Sequence, residues 1–214
     1  MAKAVKTAEG SQTGANDQAS QAPRRSGVAE ASKGDRQWWF DARGVAAGDS
    51  SVLDAAYQSG CAAIVINPDQ AGHVMTGKPR IAWVDRVDNL DKLPPEVGVL
   101  SPDEGIVAKA RQAGRKAGLF LEIEDLDKEF PRCRQAVKRG YDFVIIDMHH
   151  ATYIPFELLI AEAAGTRLLR LVPIKGLQGT VEEVNQALNA FGTLESGIDV
   201  LYRSTNVKDI KQLD

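Results

Sequence analysis

About eight short apolar runs recur between Arg36 and Asp214, and each is too short for a helix of its own. They are Gln37–Asp41, Ala62–Ile66, Arg80–Val84, Val97–Leu100, Ala117–Ile123, Phe143–Ile146, Arg167–Pro173 and Ile198–Tyr202. Runs rich in β-branched and aromatic residues that do not alternate with polar ones read as strands buried on both faces, the habit of a parallel sheet. Parallel strands need crossovers, and the stretches between the runs supply them as helices. Eight such units closing on themselves predict a compact α/β fold, a (β/α)8 TIM-like barrel over residues 36–214. The competing arrangement is an open doubly wound sheet. Its nucleotide-binding fingerprint, G-x-G-x-x-G after the first strand, is missing, since Gly44 and Gly48 do not form it.

Local signals place the helices. Ser50 or Ser51 can cap a helix running to Ser59, with Gly60 to end it. Pro68 to Val74 reads as a short loop or helical turn, and Val87 to Leu93 as a vestigial helix stopped by Pro94-Pro95. Ser101 can cap a helix to Lys116, with Pro102 at its first position and Glu104 at the capping-box spacing. Leu126 to Arg139 reads as a helix closed by Gly140. After the sixth run, Ile154-Pro155 opens a helix whose Phe156, Leu159, Ile160 and Ala163 would cover the sheet. Thr180 caps a helix to Phe191, and Asn206 to Leu213 forms the last.

The 214 residues are 43% hydrophobic and 26% charged, which suffices for one large core in a cytoplasmic, globular protein. A net charge of -3 gives no basis for binding nucleic acid or an anionic membrane. No apolar run approaches bilayer-spanning length. Cys61 and Cys133 sit within or beside apolar elements and read as reduced, buried thiols. Residues 1–35 hold almost no aromatic or large aliphatic side chains, so a disordered tail is expected there. They lack the apolar core of a secretory signal, and Glu9, Asp17 and Glu30 argue against a transit peptide.

In a parallel barrel the carboxyl ends of the strands share one mouth, where such folds place their chemistry. That geometry would gather Asp41, Arg43, Asn67, Asp85, Ser101, Glu122, Glu124, Asp147, His149, His150, Lys175 and Arg203. Acids, histidine and lysine around one opening suit proton transfer beside a carbonyl, imine formation or metal-assisted carbonyl chemistry. Each has a plainer reading. Asp41 and Arg43 stand close enough to pair with each other. One of Glu122 and Glu124 would cap a helix or face solvent, and Lys175 lies in a loop, the usual place for a solvated lysine. Adjacent strand-end histidines point apart, so at most one of His149 and His150 faces the mouth. His73 reads as a surface loop residue. Arg43, Lys175 and Arg203 could hold a phosphate or carboxylate.

The segment around the sixth strand resembles the type II (archaeal-type) 3-dehydroquinate synthase family, whose relatives include the 3-amino-4-hydroxybenzoate synthases. The resemblance rests on Asp147, on Tyr153-Ile154-Pro155-Phe156-Glu157-Leu158-Leu159-Ile160-Ala161, on Leu194-Glu195-Ser196-Gly197-Ile198-Asp199-Val200-Leu201, and on the opening Trp38-Trp39-Phe40-Asp41. It spans Arg36 to Asp214. Where the family pattern carries Asp-Trp this chain has His150-Ala151, a family Asn is Leu158, and the loop Pro173 to Gly179 looks longer.

The resemblance implies oxidative deamination or cyclisation of an amino-dideoxy-heptulosonate-type precursor in aromatic (shikimate or aminohydroxybenzoate) biosynthesis. It implies NAD as cofactor and, in one branch, manganese or another divalent metal. The assignment expected on this basis makes Asp147, His150, Lys175 and Glu122 catalytic. Arg203 and Ser204 would hold the cofactor, Asp41, Arg43 and Asn67 a small anionic substrate, and His149 a metal. Family enzymes carry a second, largely β domain, so a separately encoded C-terminal β domain is an expected partner. Two other readings are a non-catalytic or split barrel that binds an anionic metabolite or partner subunit, and an unrelated phosphosugar lyase or isomerase barrel working through Lys175.

Overall fold

The structure is a computed structural model that describes residues 37–46, 49–72, 77–124, 126–148, 159, 162–163, 166–173 and 199–213. Eight strands are parallel throughout and close into a barrel in sequence order. They are β1 Trp38–Asp41, β2 Ile64–Ile66, β3 Arg80–Trp83, β4 Gly98–Ser101, β5 Ala117–Ile123, β6 Phe143–Met148, β7 Arg167–Pro173 and β8 Asp199–Arg203. The closed barrel replaces the open-sheet alternative, because β1 pairs with β8 along its whole length, from Trp38 opposite Val200 to Asp41 opposite Arg203. Closure leaves no strand edge exposed.

The side-chain period of two divides the apolar residues into two buried sets. Trp39, Val65, Ile81, Leu100, Phe120, Phe143, Ile145, Leu169 and Leu201 fill the barrel interior. The intervening residues, among them Phe40, Ile64, Ile66, Val99, Leu121, Val144 and Ile146, face outwards and pack against the helices. Burying each large side chain of this kind contributes about 1.5–3 kcal/mol. Both faces are therefore apolar, which is why the strands read as continuous apolar runs. Gly118 stands where a β-carbon would come within 2.5 Å of the Phe143 carbonyl oxygen and overlap its ring. The glycine lets a large aromatic enter a narrow barrel; Trp39 and Phe143 meet edge to face with centroids 5.0 Å apart.

Among the described residues the helices are α1 Ser50–Gln58, α2 Val87–Leu90, α3 Glu104–Gln112, α4 Leu126–Lys138 and α5 Val207–Leu213, with a 3-10 turn at Pro68–Gly72. Helix α1 buries Val52, Leu53 and Ala56, and α3 buries Ile106, Val107 and Ala110, each the apolar stripe of one helical face. Two expected caps are corrected. Asp49, not Ser50 or Ser51, caps α1, its carboxylate accepting from the Ser51 N–H. Asp103, not Ser101, caps α3, accepting from the Gly105 and Ile106 N–H groups. Strand β4 runs on through Ser101, so the chain cannot turn into a helix until Pro102-Asp103. The Ser101 hydroxyl instead accepts from the Asp103 N–H. Gly140 follows α4 at φ 65°, a left-handed conformation that favours glycine.

The expected tail at residues 1–35, the expected helix over Thr180–Phe191, most of the helix expected from Pro155, and His73, His149, His150 and Lys175 lie outside the described residues; of the residues expected to cover the sheet from the Pro155 helix, Leu159 and Ala163 are described and both are buried. Among the described residues no helix is long and apolar enough to cross a membrane.

Candidate active site

Strand β1 ends on an inward-facing carboxylate. Asp41 is fully buried, and three groups from one turn and one distant strand converge on it. The chain turns sharply after Ala42, where the Val45 N–H meets the Ala42 carbonyl, and this brings Arg43 back over the strand end. Arg43 donates its backbone N–H to Asp41 Oδ1 at 3.1 Å, Nε to Oδ1 at 2.9 Å and Nη2 to Oδ2 at 2.8 Å. Arg203, at the end of β8, donates Nε to Asp41 Oδ2 at 2.8 Å and sets Nη2 2.7 Å from the same oxygen. Burial alone would push the Asp41 carboxyl up, but the Arg43 hydrogen bonds and the charges of Arg43 and Arg203 outweigh it and hold the group below the usual carboxylate range. Asp41 is therefore ionised. One acid between two guanidiniums leaves one net positive charge on this side of the mouth.

Asn67, after β2, donates Nδ2 to the Arg43 carbonyl at 3.0 Å and its backbone N–H to the Gln70 side-chain oxygen at 2.7 Å. It holds the Arg43 turn in place. The Arg43 guanidinium carbon lies 4.4 Å from the centroid of the Trp83 ring and 5.4 Å from that of Phe120. Those two rings meet edge to face, centroids 5.0 Å apart. Aromatic faces attract a cation and fix its plane.

Beyond this aromatic step the mouth turns acidic. A cleft of about 390 Å³ is lined by Trp83, Pro102, Phe120, Glu122, Glu124, Lys128, Glu129 and Arg132. Glu122 and Asp147 are register partners on β5 and β6, so their side chains leave neighbouring strands on the same face. Arg132 is tethered across the rim, donating to Glu129 at 2.9 Å and to the Pro102 carbonyl at 3.0 Å. The mouth is thus bipolar: guanidiniums where β8, β1 and β2 meet, carboxylates where β5 and β6 meet. Such a site can grip an anionic group at one end and exchange protons at the other.

The barrel brings together Asp41, Arg43, Asn67 and Arg203 in one hydrogen-bonded cluster, and Glu122 beside Asp147. The Asp41–Arg43 pairing that the sequence raised is present, extended by Arg203. Ser204 is buried away from the opening: its hydroxyl donates to Asp209 at 2.6 Å and accepts from the Asn206 N–H at 2.9 Å, bracing the start of α5. Ser101 lies on the outer face and Asp85 is exposed beyond β3. Sequence reasoning missed Trp83, Phe120, Lys128, Glu129 and Arg132. Strand alternation from Ile81 to Trp83 was the available signal for the first, and the i, i+4 spacing of Lys128 and Arg132 for one face of α4.

Among the described residues no three His, Cys, Asp or Glu side chains converge as a metal ligand set. For a nicotinamide cofactor the donor chemistry of Arg203 fits an anionic phosphate, whereas the Ser204 hydroxyl is already engaged.

Residues 35–214 match the family described as 3-dehydroquinate synthase II N-terminal domain. A 3-dehydroquinate synthase of Methanococcus aeolicus is 26% identical over 145 residues, which cover 64% of this chain and 38% of that protein. The chain therefore spans well under half the length of that relative. Among solved structures, a dihydropteroate synthase from Thermus thermophilus superposes with a TM-score of 0.52 at 15% identity, covering 83% of this chain and 91% of that one. This second likeness bears on the fold alone.

Proposed function

Because this chain belongs to the 3-dehydroquinate synthase II family, whose N-terminal domain it matches, we propose that its barrel mouth binds an amino-dideoxy-heptulosonate-type precursor of aromatic biosynthesis and takes part in its oxidative deamination or cyclisation. The observation that carries this reading is the bipolar mouth, with two arginines sharing Asp41 opposite the Glu122–Asp147 pair. Arg43, its guanidinium carbon 4.4 Å from the Trp83 ring centroid and 5.4 Å from that of Phe120, grips the substrate carboxylate by charge-assisted hydrogen bonds. Asn67 and Asp41 position that arginine. Glu122 and Asp147, on the opposite wall, attract the substrate ammonium group and accept its protons. His150 and Lys175 follow the sixth and seventh strands and are assigned to carbonyl polarisation; His149 is assigned to a divalent metal such as manganese.

Arg203 is assigned to a phosphate of NAD, in keeping with the phosphate sites that barrels build after their last strands. Bound there, the cofactor would take up the hydride leaving the amine-bearing carbon. The assay is full-length protein with the amino-heptulosonate, NAD and manganese, run alone and with the β domain of a family relative added. NADH and a cyclised product in either mixture support the reading; neither product in both mixtures refutes it.

In a second reading the barrel is a binding half whose chemistry needs the β domain that family relatives carry, whether on the same polypeptide or on a partner subunit; the family match is to the N-terminal domain. Turnover only in the mixture with the β domain supports it, and turnover by the chain alone excludes it.

A further inference from the structure

Two loops at the barrel mouth are tied together by one side-chain amide. The first, after β1, carries Arg43, Gly44 and Val45; the second is the 3-10 turn Pro68–Gly72 after β2. Gln70 lies on that turn, half-buried, and its amide meets two backbone groups at once. Its Oε1 accepts from the Asn67 N–H at 2.7 Å, and its Nε2 donates to the Val45 carbonyl at 3.4 Å. The N–H can only donate and the carbonyl can only accept, so one orientation of the amide serves both. Asn67, held in this way, donates Nδ2 to the Arg43 carbonyl at 3.0 Å. The carbonyls of the two residues flanking Gly44 are therefore both held from the second turn.

That turn is itself anchored. The Gln70 N–H donates to the Asn67 carbonyl at 3.0 Å, Ala71 is buried, and the Ala71 carbonyl accepts from Arg80 Nη1 at 2.9 Å. The Arg43 side chain is fixed at its far end, with Nε and Nη2 bonded to Asp41. A displacement of the Arg43 backbone must then strain that pair or carry the guanidinium with it. Binding groups keep their geometry through such supporting hydrogen bonds.

We propose that Gln70 is a positioning residue for Arg43. Its amide fixes the backbone on both sides of Gly44 and so sets where the guanidinium meets the anionic group of the substrate. This rests on the assignment of Arg43 to the substrate carboxylate made above. Glutamate, the same shape, would still accept from the Asn67 N–H but would set an oxygen against the Val45 carbonyl. Methionine, of similar length, makes neither bond.

The test compares the full-length wild type with Gln70→Glu and Gln70→Met. Asp69→Asn is the control, since Asp69 is on the same turn, exposed and outside this network. Two quantities are read: affinity for the amino-heptulosonate, by calorimetry, and solvent exchange of the Arg43 Nε–H, by ¹⁵N NMR. The Arg43→Gln variant identifies that signal by its loss. Both Gln70 variants should weaken binding about fivefold, the scale of one neutral hydrogen bond, and quicken the exchange by about the same factor. Asp69→Asn should change neither. Both readings as in wild type, with at most a lower unfolding midpoint, would mean a purely structural role and overturn the proposal. So does a change in only one of them, or an equal change in Asp69→Asn. If the wild type binds no amino-heptulosonate, the reading of the mouth fails, and the exchange rate alone decides whether Gln70 positions Arg43.

Discussion

Arg203 on the last strand reaches Asp41 on the first, its Nη2 2.7 Å from the buried Oδ2, across a separation of 162 residues. The pair sits at the top of the β1–β8 seam, where Asp41 and Arg203 are register partners. Closing that seam is the longest-range step in building the barrel, and the same contact shapes the mouth. One carboxylate therefore serves stability and site geometry together. Removing its charge leaves two guanidiniums facing each other beside a buried amide. Asp41→Asn should cost about 3 kcal/mol in unfolding free energy, the scale for breaking a buried pair from one side. Urea denaturation checks this, and a change within experimental error would refute the account of the seam.

The same carboxylate makes stability depend on pH, with a definite sign. Its folded-state pKa lies below the ordinary 3.8 because the arginine bonds and charges outweigh burial. The unfolded chain thus binds more protons in that range, and stability from this group is complete above about pH 5 and lost as pH falls through the folded value. Between those limits the wild-type curve should fall more steeply than that of Asp41→Asn, by up to about 1.4 kcal/mol per pH unit. Parallel curves from about pH 5 to about pH 2 would contradict this.

The two arginines should separate kinetically. With the β domain supplied, Arg203→Gln is expected to raise the KM for NAD about 30-fold, the loss of a charge-assisted bond of about 2 kcal/mol. Arg43→Gln should raise the KM for the amino sugar acid instead. Equal effects of both variants on both constants would show that the cluster acts as one scaffold without divided roles.

Cys133 should be inert in the folded protein. It is fully buried on α4, and burial, followed by the nearby negative charge of Glu162, pushes its thiol up to about 11. Thiolate is the reactive form. A disulfide reagent at about pH 8 should label neither Cys133 nor the buried Cys61 until denaturant is added. Rapid native labelling, mapped by mass spectrometry to Cys133, would mean that α4 opens readily.

Gly118→Ala should destabilise the barrel by about 2 kcal/mol, although alanine is usually benign in a strand. The new methyl would meet both the ring and the backbone carbonyl of Phe143 on the adjacent strand. A neutral effect on thermal unfolding would show that the interior has slack that the packing does not suggest.

Much of the architecture was legible in the residues themselves. Strands such as Ala117–Ile123 and Phe143–Met148 announce themselves because burial on both faces demands unbroken apolar runs, and that demand is local. Caps were harder. Ser101 carries every local sign of a helix start, yet pairing with β5 keeps it extended and passes the cap to Asp103. The mouth was legible in part, since Asp41, Trp83 and Arg203 stand at strand ends, whereas Arg132 gained its place on the rim through the Pro102 carbonyl, far away in the chain.

The chain's own pattern thus determined the number of strands, their parallel sense and the apolar filling of both layers, because each follows from side-chain period and burial over a few residues. Only the tertiary structure decided that β8 closes on β1 and that a single carboxylate takes two arginines. Those relationships depend on distances between segments many residues apart, and electrostatic and hydrogen-bond energies exist only once closure has set those distances.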